Sequence, residues 1–245
     1  MESLLGVIQG LTEFLPISSS GHLVIFGSTF ENMSLSLITF LHVGTLLAVV
    51  FFFRRKIVEL LVDLFSGRKE ALFYIFYVVI ALIPTVIFGI PLSNLVEEVV
   101  KNRTVVFILL ILNGSMLFML DRIPARNERI NLKSAFIIGL FQILAVFPGI
   151  SRSGSTIFAG VLMGMSREDA FEFSFILSIP TIFGAFLLDY LKNPKIDHRF
   201  LPFILSILSG FLSLIILKYF LKMRKMKYFA FYCWIIAFLG LVGLI

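Results

Sequence analysis

The sequence predicts an all-α integral membrane protein: six transmembrane helices and two re-entrant helix-loop-helix hairpins, arranged as an inverted-topology repeat. Three observations predict it. Of 245 residues, 59% are hydrophobic and only 15% charged, with a mean hydropathy of +1.02; a soluble domain carries about 25% charged residues. Six apolar runs, at 35–53, 72–91, 104–120, 171–188, 201–220 and 228–245, each approach the roughly 20 residues that a helix needs to cross about 30 Å of hydrocarbon. Two shorter apolar segments break at a proline and echo each other in sequence.

A soluble all-α protein is excluded because one core cannot hide this many helices that are apolar all round. The formal charge of +6 does not point to nucleic acid, because the basic residues sit in short loops between apolar runs, where membrane topology places them. The single cysteine, Cys233, lies in the last run and is expected to be packed against lipid or helices. Met1-Glu2-Ser3 has no basic n-region, so the N-terminus is not read as a signal peptide.

Loop charge alternates along the chain. The loops near 54–70 (Arg54, Arg55, Lys56, Arg68, Lys69), 121–133 (Arg122, Arg126, Arg129, Lys133) and 218–227 (Lys222, Arg224, Lys225) are basic and are expected on the cytoplasmic side. The 92–103 and 190–200 loops and both termini then face outside. Segments 3–15 and 135–147 cover only about 20 Å as helices, too little to span. Each ends in proline, Pro16 or Pro148, and each is followed by small polar residues and a second short apolar stretch. Such a pattern reads as a hairpin that enters and leaves on one side, and entry and exit on one side keep the 121–133 and 218–227 loops together. Gln9-Gly-Leu-Thr-Glu-Phe-Leu-Pro-Ile-Ser-Ser-Ser-Gly21 matches Gln142-Ile-Leu-Ala-Val-Phe-Pro-Gly-Ile-Ser-Arg-Ser-Gly154 in pattern. The first repeat is therefore drawn over 1–120, with its hairpin at 3–27, and the second over 132–245, with its hairpin at 135–165. Three spanning helices follow each hairpin, and the broken helices are expected to meet near the midplane.

Polar residues at membrane depth are costly and by default functional. Gln9 and Glu13, four apart, share a helix face. Ser18, Ser19, Ser20, Gly21 and His22 follow Pro16; Ser151, Arg152, Ser153, Gly154, Ser155 and Thr156 follow Pro148. If the tips meet, a carboxylate, an imidazole, a guanidinium and many hydroxyls converge. These residue types suit phosphate: Gly- and Ser-rich turns expose N–H groups, and Arg offers a planar fork for phosphoryl oxygens. Two such tips suit a two-phosphate substrate. Ser19 or Ser18 could attack phosphorus, His22 and Glu13 could move protons, and Glu13 with Gln9 could instead hold a divalent cation. For an isolated Ser or Gly, helix packing is the commoner role, and Glu13 with Arg152 could be a purely structural ion pair. Co-occurrence in two matching hairpins favours function. His42 and Glu172 are balanced between facing the site and not; Asp189 is expected at the interface, Asn113 and Ser115 in helix packing, and His198 in a solvated loop.

The first stretch, through His22, resembles the E/Q-x-x-x-E segment and following Ser-Ser-x-Gly-His of the undecaprenyl-diphosphatase (bacitracin-resistance) family. Pro148-Gly-Ile-Ser-Arg152-Ser-Gly-Ser-Thr156 is similar to that family's P-G-x-S-R-S-x-x-T motif, and the resemblance extends through Leu41-His42-Val-Gly-Thr and Glu172-Phe-Ser-Phe-Ile-Leu-Ser-Ile-Pro180. It implies an inner-membrane enzyme that converts undecaprenyl diphosphate to undecaprenyl phosphate, recycling the carrier for peptidoglycan and connecting the activity to bacitracin resistance. It also implies a divalent cation, Mg2+ or Ca2+, and an active site open to the outer face. Carried over by position, Glu13, Ser19, His22 and Arg152 form the core, with Gln9, Ser18, Ser20, Gly21, Ser151, Ser153, Gly154 and Thr156 around them. Many members have glutamate at position 9; Gln9 weakens any two-carboxylate metal site. The expected nucleophile is Ser19, with His22 and a metal-activated water as alternatives. The rival class is a transporter or flippase for polyprenyl phosphate or another anion, since inverted repeats with broken helices also build carriers. The expected partners are the polyprenyl diphosphate and membrane lipids, with a homodimer left open and no nucleic acid.

Overall fold

The computed structural model describes residues 2–25, 35–89, 91–124, 126–192 and 199–245. Among the described residues it is helical throughout, with no strand. The helices are α1 (Glu2–Phe14), α2 (Ser19–Ile25), α3 (Leu35–Phe52), α4 (Arg54–Phe65), α5 (Lys69–Gly89), α6 (Ser93–Lys101), α7 (Arg103–Leu120), α8 (Leu132–Leu144), α9 (Arg152–Leu162), α10 (Arg167–Lys192), α11 (Phe200–Lys222) and α12 (Lys227–Leu241).

Each of the six apolar runs falls on one helix: α3, α5, α7, α10, α11 and α12. Four of them, α5, α7, α10 and α11, are long and apolar enough to cross a membrane, and with the shorter apolar helices they make a multi-pass membrane protein. The last run is helical only to Leu241, and Gly243, just past the Val242 cap with a φ of +77°, suits a helix terminator. Large apolar side chains such as Leu208 and Phe238 lie on the outer surface, where acyl chains meet them.

Two stretches expected as loops are helices. In α4, Val58, Leu61, Val62 and Phe65 recur at helical spacing and are all exposed. An apolar stripe on a charged helix is the signature of an element lying in the membrane interface. Reading that loop from its charge alone hid the stripe. The short α6 was missed for the same reason.

Both segments expected to break do so. α1 stops before Pro16 and α2 starts at Ser19; α8 stops before Pro148 and α9 starts at Arg152. α1 packs most extensively on α11, and α8 on α5. Glycine permits both approaches. A Cβ at Gly10 would lie 2.0 Å from Ser209 Oγ and 2.5 Å from the Ser206 carbonyl oxygen, and one at Gly139 would lie 2.5 Å from the Ala81 carbonyl oxygen. Ser213 of α11 donates to the Gly10 carbonyl at 3.1 Å. Beside α1 an aromatic cluster of Phe14, Phe53, Phe171 and Phe175 fills the core, with Phe14 edge-on to Phe175 at 5.4 Å.

Candidate active site

The tip between α1 and α2 turns through Ser18, which sits at φ +67° in the left-handed region. That conformation is unfavourable for a residue with a Cβ and persists only where its surroundings fix it. Here they do. Ser18 Oγ accepts from Gly21 N (3.2 Å) at the start of α2 and from Gly149 N (3.0 Å) on the other tip. The second tip turns at Gly149, φ +107°, and Ser151 Oγ caps α9 by accepting from Gly154 N at 3.2 Å. Ser18 and Ser151 thus perform the same capping in the two matching stretches.

The tips touch in two more places and are bridged in a third. Ser153 Oγ donates to the Phe14 carbonyl at 2.9 Å. A Cβ at Gly21 would lie 2.9 Å from Gly149 N, so the two backbones meet only because Gly21 has none. Asn113, fully buried on α7, donates to the Pro16 carbonyl (2.8 Å) and accepts from Ser151 N (2.9 Å).

Glu13 is the hub of the resulting cluster. Its Oε1 lies 3.3 Å from Arg152 Nη2, across the two hairpins. Its Oε2 accepts from Ser19 Oγ at 3.2 Å and from Gln9 Nε2 at 3.2 Å, with His42 Nε2 at 3.5 Å. Gln9 Nε2 also approaches His42 Nε2 at 3.2 Å. The side chains of Glu13 and Arg152 are only 9% and 14% exposed. Glu13 answers half of the Arg152 fork; Nη1, on the other half, is buried and has no hydrogen-bond partner among the described residues. A buried cationic donor without an acceptor is strongly disfavoured, and an anionic oxygen is the kind of group that would satisfy it.

A cavity of about 190 Å³ opens over this cluster, lined by Glu13, Ser18, Ser19, Ser20, His42, Ala145, Ile150, Ser151 and Arg152. Other expected residues lie behind it. Gln9 is buried against Glu13, and Gly21 supports the tip contact. Ser153 and Gly154 serve the tip contact and the α9 cap, and Thr156 Oγ1 bonds the Arg152 carbonyl at 2.7 Å and Ser174 Oγ at 2.6 Å.

His22 also sits behind the tip. Its Nδ1 faces the Ser18 carbonyl at 2.8 Å and its Nε2 the Tyr232 hydroxyl at 2.7 Å, with the rings stacked at 5.6 Å. A carbonyl can only accept, which assigns the proton to Nδ1 and leaves Nε2 to accept from Tyr232. His42 is the imidazole that lines the cavity; its signals in the sequence were an ionisable residue inside the 35–53 run and its place in the Leu41-His42-Val-Gly-Thr stretch. Glu172 instead pairs with Lys56 at 3.2 Å near the α4 end of α10. Asp189 accepts from Thr39. Ser115 donates to the Ile111 carbonyl within its own helix. His198 lies outside the described residues. Nothing in the pattern around Tyr232 announced its contact with His22.

Residues 2–239 match the family described as BacA, bacitracin resistance protein BacA. The chain belongs to the BacA family. Similar proteins named undecaprenyl-diphosphatase include one from Thermosipho africanus, 40% identical over 97% of each chain, and one from Methanococcus vannielii, 37% identical over 95% of each. A protein of Acinetobacter baylyi named undecaprenyl-diphosphatase 3 is 39% identical over 93% of this chain and 91% of its own. In this BacA family member the acid, Glu13 on α1, and the guanidinium, Arg152 on α9, are joined by a charge-assisted contact.

Proposed function

We propose that this protein hydrolyses undecaprenyl diphosphate to undecaprenyl phosphate and inorganic phosphate. The observation that carries the reading is the half-answered fork of Arg152, buried beside the Ser19–Glu13 pair at the meeting of the two tips. The names of the relatives supply the substrate.

Arg152, the Ser18–Ser20 hydroxyls and the first-turn N–H groups of α9 bind the phosphoryl oxygens. Ser19 Oγ attacks the terminal phosphorus while Glu13 Oε2, 3.2 Å away, takes its proton. The new Ser–O–P bond forms as the bridging P–O bond breaks, and the lipid phosphate leaves with the bridging oxygen. Water then cleaves the phosphoserine, releasing inorganic phosphate and returning the proton to Ser19. Catalysis rests on positioning and on fixed positive charge around the phosphoryl oxygens. His22 holds the Ser18 carbonyl, and so the turn that presents Ser19, rather than moving the proton.

The donor set also fits a hard divalent cation shared with the substrate. Glu13 offers a carboxylate, and Gln9, whose Nε2 faces Glu13 and His42, would add its amide oxygen only with the amide flipped; a Mg2+-type ion commonly uses one or two carboxylates plus substrate phosphates and water. Such an ion, Mg2+ or Ca2+, would supply further charge neutralisation at the diphosphate. Among the described residues no group of three His, Cys, Asp or Glu could hold a metal without the substrate.

We read the fold around this site as six spanning helices and two re-entrant hairpins in an inverted repeat. The exchanged packing supports it: α1 lies on α11 and α8 on α5, so each hairpin rests on the second spanning helix of the other half. Loop charge supports a cavity facing outward, and membership of the BacA family supports an inner-membrane location, where recycling the carrier would serve peptidoglycan synthesis and bacitracin resistance. The test is purified protein in detergent with a polyprenyl diphosphate. A phosphatase releases phosphate in micelles; a carrier, which needs two compartments, releases none.

A further inference from the structure

We propose that Asn113 is a positioning residue: from outside the cavity, it sets the relative placement of the Ser19 tip and the Arg152 tip. The inference rests on the functional reading above and adds the device that aligns its two halves.

Asn113 lies in the middle of α7, in an apolar run where a leucine would be unremarkable. It is fully buried and all of its amide is used. Nδ2 donates to the Pro16 carbonyl at 2.8 Å and to Cys233 Sγ at 3.5 Å, and Oδ1 accepts from Ser151 N at 2.9 Å. The orientation of the amide is fixed by chemistry, because the Pro16 carbonyl can only accept and the Ser151 N–H can only donate. One rigid group therefore bonds the turn leading to Ser19 and the N-cap of the helix that begins with Arg152. Its α7 scaffold is pressed against the second tip: a Cβ at Gly149 would lie 2.7 Å from the Val106 carbonyl oxygen and 2.7 Å from Leu109 Cβ, and one at Gly154 would lie 3.3 Å from Leu117 Cδ2.

The need for such a brace follows from the architecture. Nucleophile and base sit on one hairpin and the cation that orients phosphorus sits on the other, so the reaction depends on a distance between two independent elements. Ser18 Oγ and Ser153 Oγ also join the tips, but both belong to the tips themselves. Asn113 refers both tips to a third, spanning element. Reacting groups misplaced by about 1 Å lose on the order of 100-fold in rate.

The experiment uses full-length protein in detergent with a polyprenyl diphosphate, measuring kcat and KM for wild type, Asn113→Ala, Arg152→Lys and the double variant. Asn113→Ala is expected to lower kcat about 10- to 100-fold with KM within about threefold. In its background the Arg152→Lys penalty is expected to shrink about tenfold, because the guanidinium is no longer aligned with Ser19. If Asn113→Ala does not fold, Asn113→Ser, which keeps a polar group but loses the longer two-ended amide, serves with the same two readouts. Retention of kcat within about twofold, or penalties that simply multiply, overturns the proposal while leaving the phosphatase reading standing. A wild type that releases no phosphate overturns both.

Discussion

Arg152 concentrates what this site needs from a single side chain. A guanidinium can meet Glu13 with one nitrogen and a phosphoryl oxygen with another; an ammonium offers the charge without the fork. Arg152→Lys is expected to lower kcat about 100- to 1,000-fold in phosphate-release assays, the range for losing one preorganised donor to a developing anion. The two candidate proton carriers separate by a different pair of variants. Glu13→Gln should nearly abolish turnover, whereas Tyr232→Phe, which removes the hydroxyl held by His22 but keeps the stacked ring, should lower stability by about 1 kcal/mol and activity by less than about tenfold. Thermal midpoints and kcat measured side by side would expose the reverse assignment. Glu13, Ser19 and Arg152 were legible in the sequence because charged and hydroxyl residues at membrane depth stand out against their surroundings. His22 was read as reactive because its motif carries it next to Ser19. The direction in which its ring points depends on α12, about 210 residues away, and no local pattern encodes that.

The helices that carry these residues are placed by close backbone approaches. Gly10 brings α1 against the Ser206 and Ser209 stretch of α11, and Gly184 on α10 has nothing within 4 Å of where a Cβ would stand. Gly10→Ala should therefore destabilise by about 1–3 kcal/mol through overpacking. Gly184→Ala should be neutral or stabilise by up to about 1 kcal/mol through helix propensity. Thermal unfolding in one detergent compares the two, and equal effects would remove the close-packing account of α1. Spanning runs and proline breaks were legible because apolar length and a missing N–H act locally. The helical character of α4 was hidden by its charge, although its stripe of Val58, Leu61, Val62 and Phe65 was there to be read. The choice of α11 as the partner of α1 is a tertiary fact that periodicity does not contain.

Across the whole molecule, hairpins that enter from opposite faces would let two short elements build one site at depth while the spanning helices shield it from lipid. Orientation is open to a direct check. Cys233 is fully buried, so background labelling is low. Lys101→Cys should react with an impermeant thiol reagent from outside intact cells, and Arg126→Cys only after permeabilisation; the opposite pattern reverses the topology. The claim on which the rest depends is that one hydrolytic centre is shared by both tips. It is tested most directly by single-turnover phosphate release from a polyprenyl diphosphate, comparing wild type with Glu13→Gln, Arg152→Gln and the pair combined. A shared centre predicts that each single variant loses at least about 1,000-fold and that the double variant is little worse than either. Either single variant turning over within about tenfold of wild type would contradict it.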